Sequence, residues 1–176
     1  SLTDQVNTFT SKIADLNKSI ATETARSNGQ QQANDLMDER ESTLNKLADL
    51  VDVSVIDQNN GMVSVVMSNG QSLVLEGASA QLGVKNNEFD PEKREITYNS
   101  GKGGEQLITG QIKGGKIAGT LRFRDDVLDP AQQKLGTVAA SLAIEFNQLH
   151  EAGYDLEGTL GQAFFKFDTA TVIPAL

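Results

Sequence analysis

Cysteine and tryptophan are both absent from the 176 residues, histidine occurs once, and aromatic side chains make up only 5%. Without cysteine there are no disulfides, no thiolate zinc sites and no cysteine nucleophile. A cysteine-free chain also suits export without an oxidative folding step. Basic residues are scarce: 15 against 24 acidic ones, a net charge of −9. That balance argues against a nucleic-acid groove or an anionic membrane surface as the partner. No apolar run approaches the roughly 20 residues that cross a bilayer. What is plentiful is alanine, glutamine and asparagine, within a composition that is 38% apolar. Such a mixture suits long, thin helices better than a thick core, and the length allows one domain or two small ones. The chain opens at Ser1 and stops after "TVIPAL". It is expected to be a fragment, so the missing signal peptide says nothing about export.

Leu2, Val6, Phe9, Ile13, Leu16 and Ile20 recur at 4, 3, 4, 3, 4, an apolar seam held for nearly three heptads. The spacing predicts a helix of about 25 residues, roughly 37 Å long. A bundle helix and a strand of a longer coiled coil both satisfy it. "RSNGQQQAND" (26–35) breaks the pattern and reads as a helix–helix loop. Asn34 is the expected cap of a second helix over about 35–51. Leu36, Leu44, Leu47 and Val51 share a face of it, with Met37 and Ala48 beside them. Arg40 lies on the same stripe. It either snorkels or forms an ionic lock with Asp38, Glu39 or a carboxylate of the first helix.

From residue 53 the period changes to 2. Three β-rich runs, 53–57, 62–67 and 72–76, are separated by Asn60–Gly61 and Asn69–Gly70, the strongest short hairpin signal. A three-stranded meander is expected. A loop, a turn at Asp90–Pro91, and strands near 95–99 and 105–112 follow. Helix returns after "GGK", with Ile117, Leu121 and Leu128 inward. "DPAQ" then reads as a restart: Asp129 as cap, Pro130 at the first helical position, Gln132 at the third. Leu135, Val138, Leu142, Phe146 and Leu149 form the seam of a long helix ending near Gly153. The fold class expected is α+β: an elongated antiparallel rod of long amphipathic helices with a small antiparallel β-subdomain inserted. Residues 1–51 and 113–165 form the rod, 52–112 the insert, and 166–176 open a following segment.

No motif carries catalysis. His150–Glu151 opens a zinc-protease signature, but Tyr154 stands where the second histidine belongs. "DQNNG" (57–61) and "DLEG" (155–158) are each half a calcium loop, without its spaced carboxylates, and read as turns. "GKGGE" (101–105) and "GQIKGGK" (110–116) lack the order of a phosphate-binding loop. Asp125–Asp126 reads as a helix-dipole pair. No catalytic, metal or cofactor-binding residue is assigned, and no cofactor is expected.

Several stretches together resemble the FlgK family of bacterial flagellar hook-associated proteins. In "NDLMDERESTLNKLADLVDVSV" (34–55), Asn34, Asp35, Leu36, Asp38 and Arg40 match the family's Asn-Asp-Leu-Leu-Asp-x-Arg run, with Met37 in place of a leucine. "MSNGQSLVLEGASAQL" (67–82) is similar to its strand–turn–strand stretch. Over 114–165, Gly119, Leu121, Phe123, Arg124, Leu128 and Asp129 match one region. Asn147, His150, Gly153, Tyr154, Asp155, Gly158, Phe164 and Phe165 match the tail. Residues 84–112 carry the least likeness.

The resemblance implies a structural subunit at the junction of hook and filament. It implies export through the flagellar type III apparatus to the outside of the cell. It also implies partners: copies of itself in a ring, the hook protein, the second junction protein, and an export chaperone bound outside this region. Nucleic acid and membrane are not expected partners. Alternatives are a sister axial protein (the second junction protein or a flagellin), a coiled-coil binding module whose β insert grips a surface, and an enzyme. Against the binding module, residues 51–112 offer only Phe89 and Tyr98 as aromatics.

Overall fold

A computed structural model describes residues 1–26, 33–58 and 60–166. The predicted 26–35 loop falls largely outside these residues, as does nearly all of the segment from 166 onward. The chain is α+β and divides into two compact units, Ser1–Arg122 and Phe123–Leu176.

Helix α1 (Leu2–Arg26) buries Val6, Ile13, Leu16 and Ile20 as the seam predicts. It also buries Thr3, Thr10 and Asn17, which hydrophobic spacing alone misses. Val6, Thr10, Ile13, Asn17 and Ile20 make their own 4, 3, 4, 3 line. The reason for this second line is that α1 packs against helix α2 (Asn34–Leu50) and also against strands. Asn34 is the first helical residue of α2 and not its cap; Ala33 holds the cap position without a side-chain hydrogen bond. The buried face of α2 is Arg40, Thr43, Leu47 and Leu50, while Ala48 is exposed.

The first sheet contains β1 (Val53–Asp57), β2 (Val63–Met67), β3 (Ser72–Leu75) and β4 (Ala78–Ser79), antiparallel in chain order. The expected meander is thus present and gains one short strand. Its two turns have the same construction: Gly61 (φ 79°) and Gly70 (φ 87°) adopt the left-handed conformation that glycine supplies without a steric cost. The second sheet contains β5 (Gln81–Asn86), β6 (Arg94–Asn99) and β7 (Gln106–Leu107). Residues 83–86, expected as the start of a loop, belong to strand β5. Gly83 lies on the face opposite Leu82 and Val84, where a Cβ would lie 2.5 Å from Thr97 Oγ1. Conversely, the strand expected over 105–112 shrinks to two residues. Thr109 Oγ1 accepts the Ile96 amide at 2.7 Å in place of a ladder bond, and Thr109–Gln111 closes a single 3₁₀ turn. Tyr98 Oη ties the sheets together by donating to Ser72 O at 2.8 Å.

One core runs through this unit: Val6, Ile13, Leu47, Leu50 and Val51 from the helical side meet Val63, Val65, Leu73, Val74, Leu82, Ile96 and Ile108 from the sheets. Helix α3 (Gly115–Phe123) adds Ile117 and Ala118, with Leu121 packed at the edge.

Two asparagines of α1 pair with the sheets as if they were strand backbone. Asn7 donates to Leu82 O and accepts from Leu82 N, both at 2.8 Å. Asn17, 0% exposed, donates to Val63 O (2.7 Å) and Glu76 O (2.8 Å). Its Oδ1 accepts from Val63 N (3.1 Å) and Arg40 Nη1 (3.0 Å). All four hydrogen-bonding positions of the amide are filled. Arg40 is buried, at 7% exposure, so it does not snorkel. Nor does it form the ionic lock: Nη1 donates to Asn17 Oδ1 and, at 2.7 Å, to Gly61 O. Neutral oxygens replace the expected carboxylate. Burial pulls the guanidinium pKa down, and the charge of Asp57 partly offsets this.

In the second unit, Arg124–Leu128 is a π-helical turn followed by α4 (Asp129–Glu151). Asp129 has helical φ/ψ (−60°, −46°), and its N–H bonds to Arg124 O. It therefore lies inside the helix, and Leu128 holds the cap position. The i→i−5 bond is the physical answer to Pro130, whose ring would collide with the carbonyl four residues back in a regular helix. Leu128, expected inward, is exposed. Pro130→Ala is expected to restore regular α-helix over 124–130, seen as amide-exchange protection at position 130, where the new N–H can bond to the carbonyl of Asp126. An unchanged π pattern would mean that proline is not its cause.

Candidate functional site: an apolar helix face with a docked tail

Apolar residues three and four apart give α4 a continuous apolar face, and within its own unit, among the described residues, most of that face is uncovered. No residue of α4 is buried. Leu135, Val138, Leu142, Phe146 and Leu149, the predicted seam, are all exposed, Leu142 by 69% and Leu149 by 76%. Burying a leucine is worth about 1.5–3 kcal/mol, so a stripe of this kind is a surface that gains from being covered.

The last two turns of α4 hold the segment that follows. Asn147 Oδ1 accepts the amides of Phe164 and Phe165, each at 2.8 Å, and its Nδ2 donates to Phe165 O at 2.7 Å. His150 Nδ1 lies 2.6 Å from Gln162 O. A carbonyl only accepts, so the ring proton sits on Nδ1. Phe146, His150, Phe164 and Phe165 cluster, with centroids 5.1 to 6.4 Å apart, several of the contacts edge-to-face. Gly161 passes so close to the His150 carbonyl that a Cβ there would overlap it.

Between helix and tail lies a hairpin-like turn closed by a Tyr154–Leu160 bridge. Asp155 Oδ1 accepts from Thr159 N (2.7 Å) and Glu157 N (2.9 Å), and Gly158 has φ 79°. These bonds, Thr159 N–H first, hold the Asp155 carboxyl below its usual pKa. The sign follows: a depressed carboxylate stabilises the turn above the unfolded value of about 3.9, and the contribution is lost as pH falls through the folded value. The Glu157 and Thr159 amide resonances are expected to hold steady above about pH 4 and to shift upfield on further acidification. A flat titration would show that the carboxylate does not organise the turn.

The sequence-flagged motifs resolve into structure. "DLEG" is this turn, with its carboxylate turned to backbone amides. "DQNNG" contributes the β1–β2 turn around Gly61, residue 59 lying outside the described residues. Gly101 (φ 78°) makes an exposed turn in "GKGGE". His150 and Tyr154 serve the tail. Among the described residues no group of three or more His, Asp or Glu is placed to hold a metal ion. Spacing did not reveal the asparagines at 7, 17 and 147. The available signal was asparagine beside an apolar seam position, where a solvated face would carry charge.

The profile of the flagellar hook-associated protein FlgK helical domain matches residues 1–165. The chain belongs to the FlgK helical-domain family. It is 33% identical over 171 residues to flagellar hook-associated protein 1 of Escherichia coli (strain K12), covering 97% of this chain and 31% of that protein. The same-named protein of Salmonella typhimurium (strain LT2) is 31% identical over 169 residues, 96% of this chain and 30% of its own length. The structure of the flagellar hook junction protein FlgK from Burkholderia pseudomallei superimposes with a TM-score of 0.81 at 35% identity, over 92% of this chain and 30% of that one. The chain thus spans about a third of the relatives it matches. The FlgK fold accounts for the resemblance of 34–55, 67–82 and 114–165, and it also takes in residues 84–112.

Proposed function

We propose that this chain is the helical-domain part of a structural subunit of the bacterial flagellum that links hook to filament. The observation that carries this reading is the uncovered apolar face of α4 in a chain aligned to a third of hook-associated relatives. A face of that kind suits a helix whose partners are other helices, from the rest of the subunit or from neighbouring copies. The complete assembly would be an elongated antiparallel bundle of long helices carrying a β-rich region. Copies of the subunit in a ring, the hook protein and the second junction protein are its partners. Its place is outside the cell, reached through the flagellar type III export apparatus, with a chaperone binding other parts of the subunit. It has no catalytic role and takes no cofactor.

A domain exchange tests the reading. The aligned third of the E. coli protein is replaced by this chain in a strain lacking its own copy. Restored filaments and swimming are expected. Export of the hybrid without filaments would overturn the proposal.

A further inference from the structure

The two Asn–Gly turns of the first sheet form an internal matched pair. In each, the glycine N–H closes the turn onto the carbonyl three residues back: Gly61 N to Gln58 O at 3.2 Å and Gly70 N to Met67 O at 2.9 Å. In each, the asparagine Oδ1 accepts the amide two residues on, Met62 N or Gln71 N, at 3.1 Å. They differ at the side-chain NH₂. Asn69 Nδ2 donates to Gln71 Oε1 (3.0 Å) and to Gln111 Oε1 (3.1 Å). Asn60 is exposed, and its Nδ2 has no partner among the described residues.

We propose that Asn60 is a site of spontaneous modification, deamidation to aspartate and isoaspartate, and that Asn69 is protected from the same chemistry. The Gly61 nitrogen attacks Asn60 Cγ. An N–Cγ bond forms, the Cγ–Nδ2 bond breaks, and ammonia leaves with the amide proton. Water then opens the five-membered imide at either carbonyl, giving aspartate or, with the backbone rerouted through Cγ, isoaspartate. No oxidant or other reagent is consumed.

Attack requires the side chain to rotate and the glycine N–H to be released. At Asn69 the first motion breaks two amide hydrogen bonds and the second breaks the shorter turn bond. At Asn60 only the 3.2 Å turn bond and one contact to Met62 N resist. The consequence reaches the core. Gly61 O is one of the two acceptors of the buried Arg40 guanidinium, and the extra backbone carbon of isoaspartate displaces it.

The test is ageing the folded chain in mildly alkaline buffer, with a denatured sample in parallel. Cleavage at Met62 puts the two asparagines in separate peptides, and tandem mass spectrometry reads each site. In the folded chain Asn60 is expected to convert roughly tenfold or more faster than Asn69, the weight of the two additional hydrogen bonds. In denaturant the two rates converge. The double variant Gln71→Ala/Gln111→Ala is expected to bring Asn69 up toward Asn60 while leaving Asn60 unchanged. Equal rates in the folded wild-type chain would overturn the inference, and so would an Asn69 rate that ignores the glutamines.

Discussion

Asn17→Leu is expected to lower the stability of the first unit by about 3–5 kcal/mol. Leucine keeps the branching of the asparagine skeleton, so the lost polar groups are the main change, and its bulkier methyls add to the cost at a fully buried site. The substitution leaves Val63 N and Val63 O without their partners inside the core, frees Glu76 O at its edge, and removes one of the two acceptors of Arg40. Each orphaned buried group costs about 1–3 kcal/mol, and an inadequately solvated buried charge costs more. Partial relaxation keeps the sum below simple addition. Thermal melting reads the change: a fall of at least about 10 °C is expected for a unit of this size. Asn17→Asp separates the two sides of the network. It offers Arg40 a carboxylate but turns oxygens toward the carbonyls of Val63 and Glu76, so it is also expected to destabilise. If Asn17→Asp melts at or above wild type, Arg40 and not the strand contacts dominates the site.

Gly115→Ala is expected to cost about 2–5 kcal/mol through a different mechanism. The residue has φ 76°, where an L side chain costs about 1–2 kcal/mol. The new Cβ would also fall onto the backbone of Leu50 and Val51 at the end of α2, and backbone cannot swing aside as a side chain can. Here the first turn of α3 abuts the end of α2. Gly119→Ala, four residues on in α3, meets open space and is expected to stabilise by up to about 1 kcal/mol from helix propensity. Opposite signs for two glycines of one helix, read by urea denaturation, are the expected outcome. A Gly115→Ala chain as stable as wild type would contradict the close approach of α3 to α2.

These effects mark what the sequence could and could not convey. The α1 seam and the first three strands were legible because spacing of 3.5 or 2 between branched apolar residues has few other physical solutions. The Asn–Gly pairs fixed the turns. Strand β5 was not legible, since its apolar pair, Leu82 and Val84, is short and is set among a glycine and asparagines that read as a turn. The Asp129–Pro130 restart failed because capping chemistry is a weak local preference. A π turn accommodates the proline without ending the helix. The buried Asn17–Arg40 network was half visible. Arg40 stood out on an apolar stripe, but a carboxylate was the obvious partner, and a neutral amide 23 positions earlier carries no pattern. In the candidate site the seam of α4 was readable as apolar. Its exposure was not, because periodicity tells which residues seek burial and not what covers them. Asn147 was noted only as part of a resemblance, since a side chain that mimics strand backbone looks like any polar surface residue.

The most direct measurement places charge on that seam. Leu142→Asp with Leu149→Asp is built into this chain alone and into the hybrid that carries it within the E. coli protein. Both leucines are exposed here, so the melting temperature and circular dichroism of the isolated chain are expected to stay at wild-type values. The hybrid, exported normally, is expected to lose filament formation. A double variant that still builds filaments and swims would contradict the account, because the α4 face would then be no part of the assembly.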